Sequence, residues 1–172
     1  MSSTHSPALA LSRAVLKAGI VLNLLFGALV LALLIASLVA EARVVAALGA
    51  NPDNPALVLG MRLVMAIGIA SVPLAWVVLT RLLAIVETVG RGDPFVAANA
   101  ARLQTIAWAL LGLELLHLAA GAVSLLASRP GEPFDIDWSF SLTGWLAVLL
   151  LFVLARVFDQ GTRMRDDLEG TV

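Results

Sequence analysis

The sequence predicts an all-α fold, a four-span transmembrane helix bundle with both termini cytoplasmic. Three observations carry that expectation. The 172-residue chain is 60% hydrophobic and only 13% charged, against about 45–50% and about 25% in soluble domains. Its apolar residues fall in four blocks, each close to or above what a hydrocarbon core of about 30 Å requires at about 1.5 Å per residue. Its basic residues gather beside alternate ends of those blocks, the asymmetry that sets orientation in a membrane. The whole chain, 1–172, is expected to form one integral membrane domain.

The first span is expected at residues 18–40. Arg13 and Lys17 precede it, as they would in a signal peptide. Signal cores run to about 7–15 apolar residues, however, and cleavage wants small residues where Leu38 stands, so a retained helix is expected. The second span is expected at 57–83. Pro73 inside it leaves one carbonyl without its usual donor, which predicts a modest kink. The third is expected at 103–127. The fourth, at 138–155, has 18 uncharged residues and is near the minimum for a span.

N-P-D-N-P at 51–55 and S-R-P-G-E-P-F-D-I-D at 128–137 read as turn-rich outer connections. Residues 84–102 read as a cytoplasmic loop and 156–172 as a cytoplasmic tail with a short helical extension. Eight of the eleven basic residues lie on the side of the termini: Arg13, Lys17, Arg81, Arg91, Arg102, Arg156, Arg163 and Arg165. Arg43, Arg62 and Arg129 lie on the other. Trp108 at the inner end of the third span, and Trp138 with Phe140 at the outer end of the fourth, fit aromatic belts.

Small residues recur at helical spacing in the first span: Gly19, Asn23 and Gly27, and Ala28, Ala32, Ala36 and Ala40. Such rows let helices approach closely, within one chain or between copies in a homo-oligomer. In the third span Gln104, Ala107, Leu111, Glu114, His117, Gly121, Ser124 and Ser128 share one side. Lipid penalises polar groups, so this stripe is expected to face the bundle interior.

Glu114 and His117 are the residues that most need an explanation. They stand three apart in an apolar run and can interact at i, i+3. One reading is a polar pair that satisfies itself and ties its helix to a neighbour through Asn23, Ser37, Ser71 or Thr143. A second is a proton or substrate site, since ionisable residues within a span are functional by default. A third is a metal site, because Glu-x-x-His occurs in carboxylate-bridged di-iron bundles. Those need two such motifs, and the other histidine here is His5 in the tail. No metal or other cofactor is expected.

On the side of the termini, G-R-G-D-P-F reads as a helix start, with Asp93 as cap, Pro94 in the first helical position and Phe95 as an interfacial anchor. Cysteine is absent, which removes disulfides and thiolate metal sites. No nucleophile–base pair, phosphate loop or basic tract is present, so neither an enzyme nor direct nucleic-acid binding is expected.

The stretches V-G-R-G-D-P-F-V-A-A-N-A-A-R-L at 89–103 and A-R-V-F-D-Q-G-T-R-M-R-D-D-L-E-G-T-V at the end carry a resemblance. The chain resembles the bacterial four-helix membrane proteins grouped as a domain of unknown function, number two-nine-seven-five. The resemblance runs from the second helix onward. It implies a protein of the bacterial cytoplasmic (inner) membrane and brings no catalytic residues. In that family a small helix-turn-helix regulator is often encoded alongside, which implies a cytoplasmic regulator as partner. The expected function is a non-enzymatic membrane sensor or anchor. Its interaction surface would include Gly92, Asp93, Pro94, Phe95, Asn99 and Gly161. The alternative is a small proton-coupled carrier built on Glu114 and His117. A reporter fused to the C-terminus is expected to work only if it is of a kind active in the cytoplasm. Activity of an export-dependent reporter there would reverse the orientation.

Overall fold

The computed structural model describes residues 7–48, 53–92, 96–128 and 139–169. Among them are five helices: α1 (Pro7–Val39), α2 (Glu41–Ala47), α3 (Pro55–Gly90), α4 (Ala97–Ala127) and α5 (Leu142–Glu169). All but α2 are long and apolar enough to cross a membrane. The helices outrun the expected spans, because an apolar block marks only the stretch that tolerates lipid. The same backbone hydrogen bonding continues into the flanking residues. Residues 84–90 and 97–102, expected in a loop, are helical. At 33, 36 and 31 residues, α1, α3 and α4 are about 46–54 Å long.

Helix starts follow local chemistry. Asn54 caps α3, its Oδ1 accepting from Leu57 N at 3.3 Å, with Pro55 following in the first turn. Ser141 does the same for α5, its hydroxyl accepting from Gly144 N at 3.1 Å. Each satisfies an amide that the helix itself leaves free. α3 ends at Arg91 and Gly92, and Gly92 has a φ of 88°, the left-handed value that glycine adopts without steric cost. α4 begins at Ala97 behind an extended Val96, three residues after the expected Pro94. Asp93, Pro94 and Phe95 lie outside the described residues. Pro73 stays within an unbroken α3, and Asn23 Nδ2 donates to the adjoining Val72 carbonyl at 3.0 Å.

The expected bundle is corrected to an open row. α1 packs on α3, α3 on α4 and α4 on α5, and the short α2 packs on α1. Among the described residues, no other pair of long helices makes more than a glancing contact. Small residues explain why the seams are pairwise. A Cβ added at Gly27 would press on Val72, one at Gly19 would touch Leu79, and one at Gly112 would press on Leu74. The row Gly19–Asn23–Gly27 therefore serves the α1–α3 seam. No comparable row of small residues joins α1 to α5. Leu22, Leu25, Phe26, Leu29, Leu146, Leu149 and Leu150 are exposed, as a lipid-facing surface requires. The polar stripe on α4 faces no enclosed interior: Ala107, Gly121 and Ser124 are buried, while Gln104 and Ser128 are exposed.

Polar clamps hold both ends of the row. At the end bearing the termini, Asn99 is 0% exposed. Its amide donates to Thr88 Oγ1 at 2.9 Å, and its carbonyl accepts from Arg102 Nη1 at 2.8 Å. At the other end Arg62 donates to Ser37 O at 2.6 Å and to Glu41 Oε2 at 2.7 Å. A cation on the minority side is thus neutralised and used to join α1, α2 and α3. Asn99→Ala would leave Arg102 and Thr88 short of a partner, at a cost of about 1–3 kcal/mol. Reversible unfolding in mixed micelles should show that loss, with Thr105→Ala on the same helix near zero; equal effects would deny Asn99 its clamping role.

Candidate functional site

Glu114 and His117 lie on α4, but about 60° apart around its axis, and that angle sends them to different places. No hydrogen bond or ion pair joins them among the described residues. The expectation of a self-satisfied pair is therefore corrected, and with it three of the four expected neighbours; the fourth, Thr143, lies on α5 beside the Gly144 that Glu114 meets. Asn23 donates to Val72 O, Ser37 to Leu34 O and Ser71 to Gly68 O.

Glu114 reaches α5. Its carboxylate lies directly against Gly144, where an added Cβ would overlap Glu114 Oε1. Gly144 is the third residue of α5, and its amide is held by the Ser141 cap. A helix start carries partial positive charge, so a carboxylate beside the first turn is favoured by about 0.3–1 kcal/mol, more when partly buried. Half-buried Glu114 makes no hydrogen bond among the described residues. Its contact with α5 is electrostatic and steric.

His117 reaches the chain just before α5. Its Nε2 stands 3.0 Å from Ser139 O. A carbonyl can only accept, so Nε2 is the nitrogen that donates. The ring also lines a groove of about 240 Å³ between α3 and α4, beside Gly68 and Ser71.

These contacts place the start of α5 well short of the end of α4. Ser139 is level with His117, and ten more residues of α4, 118–127, run past that level. They amount to about 15 Å. Phe140, expected at the outer end of the fourth span, lies at this recessed level and stacks on Trp145 with ring centroids 6.5 Å apart. Non-helical backbone at membrane depth is stable only where its polar groups are satisfied. His117 supplies a donor for one carbonyl there, and Glu114 sets its carboxyl group beside the helix start. The carboxylate and the imidazole thus serve the two sides of one junction. Ser139, Ser141 and Gly144 complete it; the sequence signal for them was a serine three residues before a glycine at the head of an apolar run.

The other expected site residues separate. Gly92 is exposed in its turn, and Gly161 is half-buried on α5. Asn99, expected on an interaction surface, is buried in the α3–α4 clamp and is not available to a partner. Its short polar side chain reads as surface, but packing places it inside. Beyond Ala155, α5 carries Arg156, Asp159 and Arg163, with Asp159 Oδ2 in ion pairs at 3.6 and 3.2 Å with the two arginines. Among the described residues, no group of three His, Cys, Asp or Glu side chains could hold a metal ion.

A family model described as "Protein of unknown function (DUF2975)" matches residues 43–172. No curated protein and no solved structure matches the chain.

Gly144→Ala should destabilise the protein by about 1–3 kcal/mol through overpacking, and most of that loss should vanish in a Glu114→Ala background. A double-mutant cycle on micellar unfolding reads the coupling. Strictly additive effects would mean that Glu114 does not rest on Gly144.

Proposed function

We propose that this chain, which belongs to the DUF2975 family of proteins of unknown function, is a non-enzymatic membrane sensor or anchor for a cytoplasmic partner. One observation carries the reading. α5 runs unbroken from Leu142 to Glu169, so a single rigid element connects the Glu114–His117 junction to the charged tail. Anything that alters the grip of those two residues on the recessed end would tilt or slide the whole helix. The tail would report the change outside the membrane.

The end bearing the termini suits such a report. Met164 is 65% exposed and Val89 40% exposed, next to a turn at Gly92 that the Asn99 clamp holds in place. The distribution of basic residues supports placing this end in the cytoplasm. A helix-turn-helix regulator is the partner we propose, docking on α5 beyond Ala155 and on the α3–α4 turn. The membrane would be the bacterial inner membrane.

A proton-coupled carrier is the second reading, favoured by one observation: Glu114 has no hydrogen-bond partner among the described residues. An open row of helices supports it less well, because a carrier needs an enclosed route. A second copy would have to complete one. Loss of proton flux in liposomes on Glu114→Gln would favour this reading.

Photo-crosslinking probes at Val89 and Met164 in native membranes test the sensor reading. Capture of a DNA-binding regulator, with the yield at Met164 changed several-fold by Glu114→Ala, is the expected result. Capture of this chain alone, or a yield indifferent to Glu114, would overturn it.

A further inference from the structure

Between the start of α4 and the middle of α5 lies a cavity of about 200 Å³, lined by Ala100, Gln104, Phe152, Ala155, Arg156 and Asp159. It is separate from the Glu114–His117 junction and lies toward the other end of α5. Its floor is apolar: Ala100 and Ala155 are each 7% exposed, and Phe152 packs edge-on against Trp108 with centroids 5.2 Å apart. Its rim is polar, with Arg156, Asp159 and the exposed Gln104.

Asp159 on that rim also pairs with Arg163, which lies outside the cavity lining. Arg156 and Arg163 share the single carboxylate of Asp159, and the Arg156 contact is the longer, at 3.6 Å against 3.2 Å. Among the described residues two guanidinium groups thus share one carboxylate, so Arg156 beside the cavity is only partly neutralised. A guanidinium presents paired donors that match phosphate oxygens, and Gln104 can add an amide donor. Arg156 is also the first charged residue after the apolar run of α5, which puts it where lipid headgroups lie if the helix spans a bilayer. Basic pockets between spans at that level suit phosphorylated headgroups.

We propose that this cavity is a phosphate-binding site, taking the phosphodiester of a phospholipid headgroup or a free phosphate, with Arg156 as its main ligand and Gln104 as a second donor. Asp159 opposes the ligand and tunes its affinity. The apolar floor lies against the uncharged part of a lipid, so a phospholipid binds more tightly than inorganic phosphate.

The full-length protein in detergent would be titrated with phosphatidylglycerol, phosphatidylethanolamine, diacylglycerol and inorganic phosphate, and its thermal midpoint followed. The phospholipids should raise the midpoint and diacylglycerol should not. Arg156→Gln should weaken the phospholipid response roughly tenfold, the scale of one charged hydrogen bond. Asp159→Asn should strengthen it, a gain that simple structural damage does not produce. A response to inorganic phosphate equal to that of the lipids would assign the site to free phosphate, still through Arg156. Stabilisation by diacylglycerol equal to that by phospholipids, or an unchanged response in both variants, would overturn the proposal.

Discussion

In hydrocarbon a backbone amide or carbonyl has no water to bond, and each one left unsatisfied costs several kcal/mol. The chain meets that requirement with four helices that carry their own hydrogen bonds, three of them longer than a bilayer core. Once they form, side chains have only to place one helix against the next. Leucine contributes little to that choice, because lipid tails are as apolar as leucine. Close approach and polar contacts decide it. Gly19, Gly27 and Gly112 let backbones near their neighbours, Asn23 donates across the α1–α3 seam, and Asn99 and Arg62 close opposite ends. Each of these contacts joins α3 either to α4 or to α1 with its short companion α2, so the two neighbours lie on separate seams and the product is a row.

The same requirement explains the unusual residues. α5 starts recessed beside the middle of α4, which puts a non-helical carbonyl and a helix start at a depth where the other long helices are continuous. His117 donates to the Ser139 carbonyl, and Glu114 places its carboxylate against the first turn at Gly144. An apolar pair at these positions would leave the carbonyl without that donor and the helix start without a polar neighbour. Two ionisable side chains in the third span are thus the counterpart of a short fourth span. The pair reads as strange on its own helix and makes sense only against α5.

Much of this was legible in the residues. The four apolar blocks, the Gly19–Asn23–Gly27 row and the helical tail all follow from spacing and composition, which act locally. Three features did not. Bundle closure was expected because four amphipathic-looking spans suggest a common interior, yet no residue pattern states which helices touch. Asn99 falls in a stretch, 84–102, that reads as a cytoplasmic loop, and only packing shows it facing Thr88 and Arg102. The recess of α5 was hidden because hydropathy gives the length of an apolar run and not its level against its neighbours. Glu114 and His117 were singled out correctly as residues needing a reason, but i, i+3 spacing could not show that they diverge.

The open row is the central claim, since the recess, the lipid-facing surfaces and the role of α5 as a single lever all depend on it. The natural chain has no cysteine, so spin labels can be placed at Leu22→Cys on α1 and Leu149→Cys on α5, both on exposed positions. Labelled protein would be diluted in unlabelled protein in bilayers and the distance between labels measured. Packed helices lie about 8–10 Å apart. A row predicts a separation of two to three such spacings, about 20–30 Å, whereas a closed bundle brings α1 and α5 side by side. A distribution centred near one helix spacing would contradict the account.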